Sequence, residues 1–225
     1  MNALSQPLSL HGPAGALQAL LDTPLLEPGA RPRGTAVIAH PHPQFGGTMT
    51  NKVVQTLARA CVLCGWRALR FNFRGVGESQ GTYDEGRGEL QDMLAAIEQQ
   101  APPDAPLLIA GFSFGAFVAS HAIAALHGQR AIERAVLVGT ACSRFDVAPI
   151  AAELQADTLV IHGELDDTVP LAAVLDWARP QALPITGIVV AFSATALAVA
   201  LLLRLHAVAG DVTLAEPPPA PADDD

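Results

Sequence analysis

Cysteine is scarce in this chain. Only Cys61, Cys64 and Cys142 occur among its 225 residues, and the first residues lack the charged and apolar regions of a secretory signal. Both observations favour a reducing cytoplasm as the location. Cys61 and Cys64 form a CxxC, but no second CxxC or neighbouring histidine pair supplies the other two ligands of a zinc site. We therefore interpret them as buried cysteines of a helix, and we expect no metal or cofactor.

Clusters of positive charge are also missing. The formal net charge is -9 at pH 7, and no run of lysine or arginine forms a patch that could neutralise phosphates. Nucleic acid is therefore not an expected partner. Hydrophobic residues make up 50% of the chain and charged residues 16%, which is typical of a compact globular protein rather than a disordered one. The length fits one α/β domain better than two.

Short apolar runs that end in glycine or polar turns alternate with longer amphipathic stretches from Thr35 onward. This alternation is typical of strands and crossover helices in a mostly parallel sheet. Because such crossovers are right-handed, helices must cover both faces of the sheet. An antiparallel hairpin that turns at residues 12–15 precedes them. The predicted strands are 35–40, 66–71, 106–111, 134–139, 157–163 and 187–192, and the predicted helices are 50–64, 87–100, 114–127, 171–178 and 193–209.

The C-terminal part of the chain departs from this alternation. Residues 210–225 are acidic and proline-rich with nothing to bury, so we expect a disordered tail after a single domain of residues 1–209. Residues 183–203 contain no charge and are long enough to span a membrane. Pro184, Gly187 and the need of the sheet for a last strand and a covering helix favour a buried core segment. A membrane span through 183–203 is the alternative.

The segment GFSFG, from Gly111 to Gly115, matches the G-x-S-x-G pattern of a nucleophile elbow. It follows a predicted strand and opens a predicted helix, as that motif requires. Glycines are needed there because strand and helix approach closely while the serine occupies a strained turn. The sequence therefore predicts Ser113 as a nucleophile.

The segment HPHPQFGGTMTNK follows the predicted strand that ends at His40. This is the place where the second donor of an oxyanion hole is found when a nucleophile elbow is present. Paired backbone N–H groups stabilise the negative charge that a tetrahedral intermediate places on the substrate oxygen. We predict the N–H groups of His42 and Phe114 as the two donors. Proline at positions 41 and 43 stiffens the loop around His42.

The segment IHGELDDTVP places Asp166 and Asp167 just past the end of a predicted strand. An acid after the nucleophile in chain order fits a Ser, Asp, His triad, in which the carboxylate orients the imidazole. We predict Asp166 as this acid and Asp167 as its solvated neighbour. Capping of the helix that begins near Leu171 is the alternative role for both carboxylates.

The glycine-rich segment FNFRGVGESQGTYDEG covers residues 71–86. No Gly-Lys-Ser/Thr follows it, and its spacing is not that of a phosphate-binding loop. From its pattern alone it is interpreted as a long turn.

Four segments in chain order carry a family resemblance: HPHPQFGGTM, FNFRGVGES, GFSFG and HGELDDTVP. Together they resemble the small bacterial α/β-hydrolase superfamily proteins of the dienelactone-hydrolase-like and short esterase-like group, over residues 35–177. The resemblance implies an α/β-hydrolase fold, with a mostly parallel central sheet and helices on both faces. It also implies Asp166 as the acid and His42 in the oxyanion loop. Dienelactone hydrolases have a cysteine nucleophile, whereas position 113 is serine, which favours hydrolysis of esters or related acyl compounds.

The sequence departs from this group at the position of the histidine base. Its members carry a histidine just after the last strand, which would fall near residues 192–195, where this chain reads FSAT. Two other histidines are candidate bases. His42 lies in the oxyanion loop, and His206 is the only histidine after Asp166. A location near a helix C-terminus, favourable to the helix dipole, is the alternative interpretation of His206.

These observations predict a cytoplasmic serine hydrolase that acts on a small-molecule acyl substrate, such as a small ester. The segment 140–157, where larger relatives insert a lid, is short, so we expect an open site. The alternative is a catalytically inactive binding protein with a hydrolase fold, either free or tethered to a membrane through 183–203. The sequence gives no indication of the oligomeric state.

Overall fold

An antiparallel hairpin begins the protein, whose computed structural model describes residues 3–188. β1 (Ala3–Gly12) pairs with β2 (Gly15–Pro24) along its whole length, and Gly12 lies opposite Gly15. Gly15 has a φ of 118°, which residues with a Cβ rarely adopt, so glycine permits this tight turn. The predicted hairpin is confirmed.

The sheet has eight strands within the described residues. The strands after the hairpin are β3 (Thr35–Ala39), β4 (Arg67–Phe71), β5 (Leu107–Phe112), β6 (Arg134–Val138), β7 (Thr158–Gly163) and β8 (Ile185–Ile188). The order in the sheet is β1-β2-β4-β3-β5-β6-β7-β8. All neighbours from β4 to β8 in this order are parallel, whereas β2 pairs with β4 antiparallel. The mostly parallel sheet is therefore confirmed.

Helices cover both faces of the sheet. Successive residues of β5 point to opposite faces, so Ile109 packs in one hydrophobic cluster and Leu108 in another. The helices are α1 (Lys52–Leu63), α2 (Arg87–Gln100), α3 (Phe114–Leu126) and α4 (Leu171–Ala178), with 3-10 helices at Pro43–Phe45, Ala152–Asp157 and Arg179–Gln181. Residues of α1 fill the cluster around Leu108, and residues of α2, α3 and α4 fill the cluster around Ile109. The predicted α/β architecture is confirmed.

The CxxC lies in α1 and at its end. Cys61 is buried in the core, where burial raises the pKa of its thiol to about 12. Burial also raises the pKa of Cys64, the C-cap of α1. Both thiols are therefore protonated at neutral pH and are poor nucleophiles or metal ligands. Within residues 3–188, no three His, Cys, Asp or Glu side chains are grouped closely enough to hold a metal ion.

The last described strand starts earlier than the sequence predicts. β8 begins at Ile185 rather than at residue 187, because its pairing with β7 starts directly after Pro184, whose carbonyl accepts from Val160 N–H at 3.0 Å. The first part of the uncharged run 183–203 therefore belongs to the sheet. The predicted residues 189–192 of this strand, the helix 193–209 and the tail 210–225 lie outside the described residues. No helix between residues 3 and 188 is long and apolar enough to cross a membrane.

Candidate active site

Ser113 occupies a strained turn between β5 and α3. Its backbone angles are φ 57° and ψ -115°, although left-handed φ values are uncommon for residues with a Cβ. Hydrogen bonds on both sides hold this conformation. The N–H of Ser113 donates to the carbonyl of Val138 at 2.8 Å, and its carbonyl accepts from Ala116 N–H at 3.0 Å. The turn is thus anchored to β6 and to the first turn of α3.

The glycines of GFSFG are required by close backbone packing. A Cβ on Gly111 would collide with the backbone carbonyl of Gly115. A Cβ on Gly115 would collide with the carbonyl of Ala39 and lie 2.6 Å from that of His40, at the end of β3. Because a larger residue at either position would push α3 away from the sheet, the two glycines permit the turn at Ser113.

A cleft of about 360 Å³ lies over Ser113. Its walls come from the loops after β3, β5, β6 and β7, and they include His42, Phe145 and Val169. These loops follow the carboxyl ends of parallel strands, the usual location of ligand sites in open α/β sheets. The volume is at the lower end of the range for small-molecule pockets.

Three backbone N–H groups of cleft-lining residues have no acceptor among residues 3–188. They belong to His42, which precedes the 3-10 helix after β3, to Phe114, the first residue of α3, and to Ala141 in the loop after β6. The first amides of a helix have no partner within the helix, so Phe114 N–H is left free by geometry. The loop around His42 is closed by Gly47 N–H, which donates to the His42 carbonyl at 3.0 Å.

Asp166 lies in the loop after β7 and is held by that loop. Its Oδ1 accepts from the N–H groups of Thr168 and Val169, both at 2.9 Å. The buried ring of His162 closes the same loop, because its Nε2 donates to the carbonyl of Val169 at 2.8 Å. Asp166 is half-buried and Asp167 is exposed. Of the two carboxylates, the loop thus holds Asp166, and the role of Asp166 as the acid stays a prediction.

Comparisons with known proteins agree with this geometry. Residues 30–155, more than half of the chain, match the family described as serine aminopeptidase, S33. An α/β serine hydrolase without a lid from Xanthomonas campestris is 34% identical, and the match covers 91% of this chain and 94% of that one with a TM-score of 0.80. This chain belongs to the α/β serine hydrolases. The predicted resemblance and fold class are therefore confirmed.

Two further relatives of this hydrolase extend the comparison. An α/β serine hydrolase homologue from Coxiella burnetii is 30% identical, covers 89% of this chain and 97% of that one, and has a TM-score of 0.72. An uncharacterised protein of Rickettsia prowazekii is 51% identical over 87 residues. That match spans 37% of this chain and 37% of the relative's length.

Both ring nitrogens of His42 form hydrogen bonds in this hydrolase. Its Nδ1 accepts from Gln44 N–H at 3.2 Å, which leaves Nε2 to carry the proton and to meet the Tyr83 hydroxyl at 3.1 Å. The ring also packs against Phe45 and Phe114, with centroids 4.7 and 5.0 Å away. Burial among these rings lowers the pKa of His42, so the imidazole is neutral at neutral pH.

His40, at the end of the predicted strand 35–40, links two loops of the hydrolase. Its ring is fully buried, with Nδ1 donating to the carbonyl of Pro41 at 2.6 Å and Nε2 accepting from Phe73 N–H at 3.0 Å. Burial lowers the pKa of His40 to about 4, so the ring stays neutral. This side chain fixes the start of the loop that carries His42.

The glycine-rich segment is more than a turn, because acidic residues of α2 hold it in place. Buried Glu89 accepts from the N–H groups of Asp84 and Gly86, at 2.9 and 2.8 Å. Buried Asp92 forms an ion pair with Arg74 at 2.8 Å. These contacts place Tyr83 against His42. The only signal in the sequence is the pair of acids in the first turns of a predicted helix.

No histidine of residues 3–188 forms a hydrogen bond with the hydroxyl of Ser113. The rings of His40, His42 and His162 form the hydrogen bonds described above. The ring of His121 donates to the carbonyl of Asp146, and the ring of His127 contacts the carboxylate of Glu153. Residues 192–195 and His206 lie outside the described residues. The described part of the hydrolase therefore brings together His42, Ser113 and Phe114 in one cleft, beside the loop of Asp166, and does not include His206.

Proposed function

We propose that this α/β serine hydrolase cleaves small esters or related acyl compounds with Ser113 as nucleophile. The Ser113 hydroxyl attacks the acyl carbon, its proton passes to a histidine base, and the leaving alcohol takes that proton, so that an acyl-serine forms. Water then attacks the acyl-serine and gives one proton to the base. That proton returns to Ser113 as the acid product leaves.

The strained backbone of Ser113 at the base of an open cleft is the observation that carries this proposal. A serine at φ 57° costs free energy that the fold has to offset, and such strain concentrates at functional sites. The turn presents the residue to a cleft instead of to the core.

The free amides of His42 and Phe114 support an oxyanion hole in the same cleft. Negative charge forms on the carbonyl oxygen when Ser113 attacks, and two fixed N–H donors stabilise it without rearrangement. Both residues line the cleft with Ser113. In the proposed mechanism these amides bind the oxygen of the tetrahedral intermediate.

Asp166 is proposed as the acid that orients the base. Two backbone N–H groups already hold its Oδ1, so Oδ2 is the oxygen available to an imidazole. Its loop contributes Thr168 and Val169 to the cleft wall. The carboxylate therefore lies on a fixed turn at the same edge of the sheet as Ser113.

The cleft size supports small substrates. About 360 Å³ accommodates a compact acyl group and a small alcohol, and the loop after β6 returns to β7 through a single 3-10 helix at Ala152–Asp157. The relative from Xanthomonas campestris is described as a hydrolase without a lid. We propose the same open access for this chain.

Covalent labelling of the serine tests the proposal. A fluorophosphonate probe is expected to label the wild-type chain and not Ser113→Ala, with parallel loss of p-nitrophenyl acetate hydrolysis. Ser143→Ala is the matched control, because Ser143 is an exposed serine in the loop after β6. Equal labelling of wild type and Ser113→Ala, together with no ester turnover by wild type, would support the inactive binding protein instead.

The base is tested separately with the two predicted histidines. Both ring nitrogens of His42 already form hydrogen bonds, so the ring would have to leave Gln44 or Tyr83 before it could accept the proton of Ser113. We therefore expect His42→Gln to keep at least about a tenth of the turnover. A tenfold decrease corresponds to the loss of roughly one hydrogen bond. A loss of several orders of magnitude in His206→Gln would identify His206 as the base, because removal of a triad member has an effect of that size. Full turnover by His206→Gln would exclude His206 as the base.

A further inference from the structure

Arg144 lies in the same cleft as Ser113. It belongs to the loop after β6, where the N–H groups of Arg144 and Phe145 both donate to the carbonyl of Ala141 at 3.0 Å. The ring of Phe145 packs on Phe114 and stacks on Phe117, with centroids 5.3 and 4.8 Å away. The backbone that carries Arg144 is therefore fixed to the elbow helix.

The guanidinium of Arg144 has no acidic partner and no hydrogen bond among residues 3–188. In this respect it differs from the arginines that form ion pairs with Asp or Glu, which are Arg33, Arg70, Arg74, Arg87 and Arg134. An arginine stays protonated at any pH that a protein tolerates, so the side chain brings a permanent positive charge to the cleft.

The rest of the cleft wall, in the part of the chain that the structure describes, offers no negative charge to pair with this arginine. Phe45, Phe114 and Phe145 provide an apolar surface, and no Asp or Glu of residues 3–188 lines the cleft. The whole chain carries a formal net charge of -9, which repels anions at a distance. The guanidinium of Arg144 offsets this repulsion for ligands that reach the cleft.

We propose that Arg144 selects esters that carry a carboxylate, and that it does so by pairing with that carboxylate while Ser113 attacks the ester carbon. The planar guanidinium binds a carboxylate through two parallel hydrogen bonds. This substrate class rests on the proposed function, because it requires Ser113 to be the nucleophile. Arg144 would act in binding and take no part in proton transfer.

Two matched pairs of aryl esters, of which the first pair are p-nitrophenyl esters, test the proposal. One pair compares mono-p-nitrophenyl glutarate with p-nitrophenyl pentanoate, so that the acyl chain differs by its carboxylate. A second pair compares butyrate esters of 3-hydroxybenzoate and of phenol, in which the leaving group carries the carboxylate. Because Arg144→Gln removes a hydrogen bond between two charged groups, we expect it to lose about tenfold or more in kcat/KM for the charged ester of at least one pair.

The neutral esters and two further variants decide the interpretation. Arg144→Gln is expected to hydrolyse the neutral esters within about twofold of wild type, and Arg144→Lys to recover part of the preference for the charged ester. Arg59→Gln removes an exposed charge from α1 and controls for net charge. It is expected to leave the preference intact.

Three results would overturn the inference. Wild type that hydrolyses neutral esters without preferring a charged one would refute the role of Arg144 and leave the proposed function intact. Equal loss for charged and neutral esters in Arg144→Gln would indicate a structural role instead. No hydrolysis of any of the four esters by wild type would refute the proposed function, and the substrate class with it.

Discussion

The hydroxyl of Tyr83 lies 3.1 Å from Nε2 of His42 and joins the glycine-rich segment to the loop that carries a proposed oxyanion donor. This contact orients the ring of His42, while its Nδ1 accepts from Gln44 N–H in the same loop. The backbone N–H of His42 is thereby held beside the cleft. Tyr83 is a positioning residue in this arrangement, because it acts through His42.

Tyr83→Phe is expected to lower kcat about three- to tenfold and to change KM less. Loss of one hydrogen bond costs about 1 kcal/mol, and an oxyanion donor acts mainly in the transition state. The phenyl ring keeps the packing of Tyr83 on Phe114. Steady-state kinetics with a neutral p-nitrophenyl ester measures the effect. Equal changes in the two constants, or none, would count against the positioning role.

Asp166→Asn is expected to reduce kcat at least a hundredfold, because an amide cannot stabilise a charged imidazole as a carboxylate does. The amide oxygen can still accept from Thr168 and Val169, so the loop should keep its shape. Asp167→Asn is the matched control at an exposed neighbouring position and should remain within about twofold of wild type. Similar activity of the two variants would refute the assignment of Asp166.

The turn at Ser113 predicts an effect on stability as well as on activity. Strained backbone costs about 1–3 kcal/mol, and glycine adopts left-handed φ values without that cost. Ser113→Gly should therefore unfold in urea with a free energy about 1 kcal/mol higher than Ser113→Ala, which keeps the Cβ at φ 57°. A less stable glycine variant would show that the turn holds little strain.

The strained turn at Ser113 could be predicted from the sequence because its causes are local. Gly111, Ser113 and Gly115 lie within five positions, and the collisions that exclude larger residues involve the adjoining strand and helix. The loop of Asp166 is equally local, since the partners Thr168 and Val169 lie two and three residues later, while the role of Asp166 as the acid stays a prediction. In both cases the short pattern contains most of the geometry.

The contacts around His42 could not be predicted because their partners come from distant segments. Tyr83 is 41 residues from His42, and Phe73 is 33 residues from His40. Only the pairing of β3 with β4 brings these loops to the same edge of the sheet. The role of Arg144 depends likewise on the fold, since nothing in its sequence neighbourhood indicates that it lines the cleft with Ser113.

The buried ring of His40 predicts a loss of stability in mild acid. Burial lowers its pKa from 6.5 to about 4, so the unfolded chain takes up a proton over a pH range in which the folded chain does not. The contribution of His40 to the free energy of unfolding is therefore complete above pH 6.5 and falls as the pH drops towards 4. Its full size is about 3 kcal/mol, since each pKa unit corresponds to about 1.4 kcal/mol.

Urea unfolding at several pH values between 6.5 and 4 measures this dependence. His40→Gln removes the titrating group while keeping a donor and an acceptor, so its stability should be lower at neutral pH and should change less with acid. His11→Gln is the control, because His11 is exposed on the hairpin and should leave the slope unchanged. A slope in His40→Gln as steep as in wild type would assign the acid sensitivity to other groups. His40 would then fix the loop without coupling it to pH.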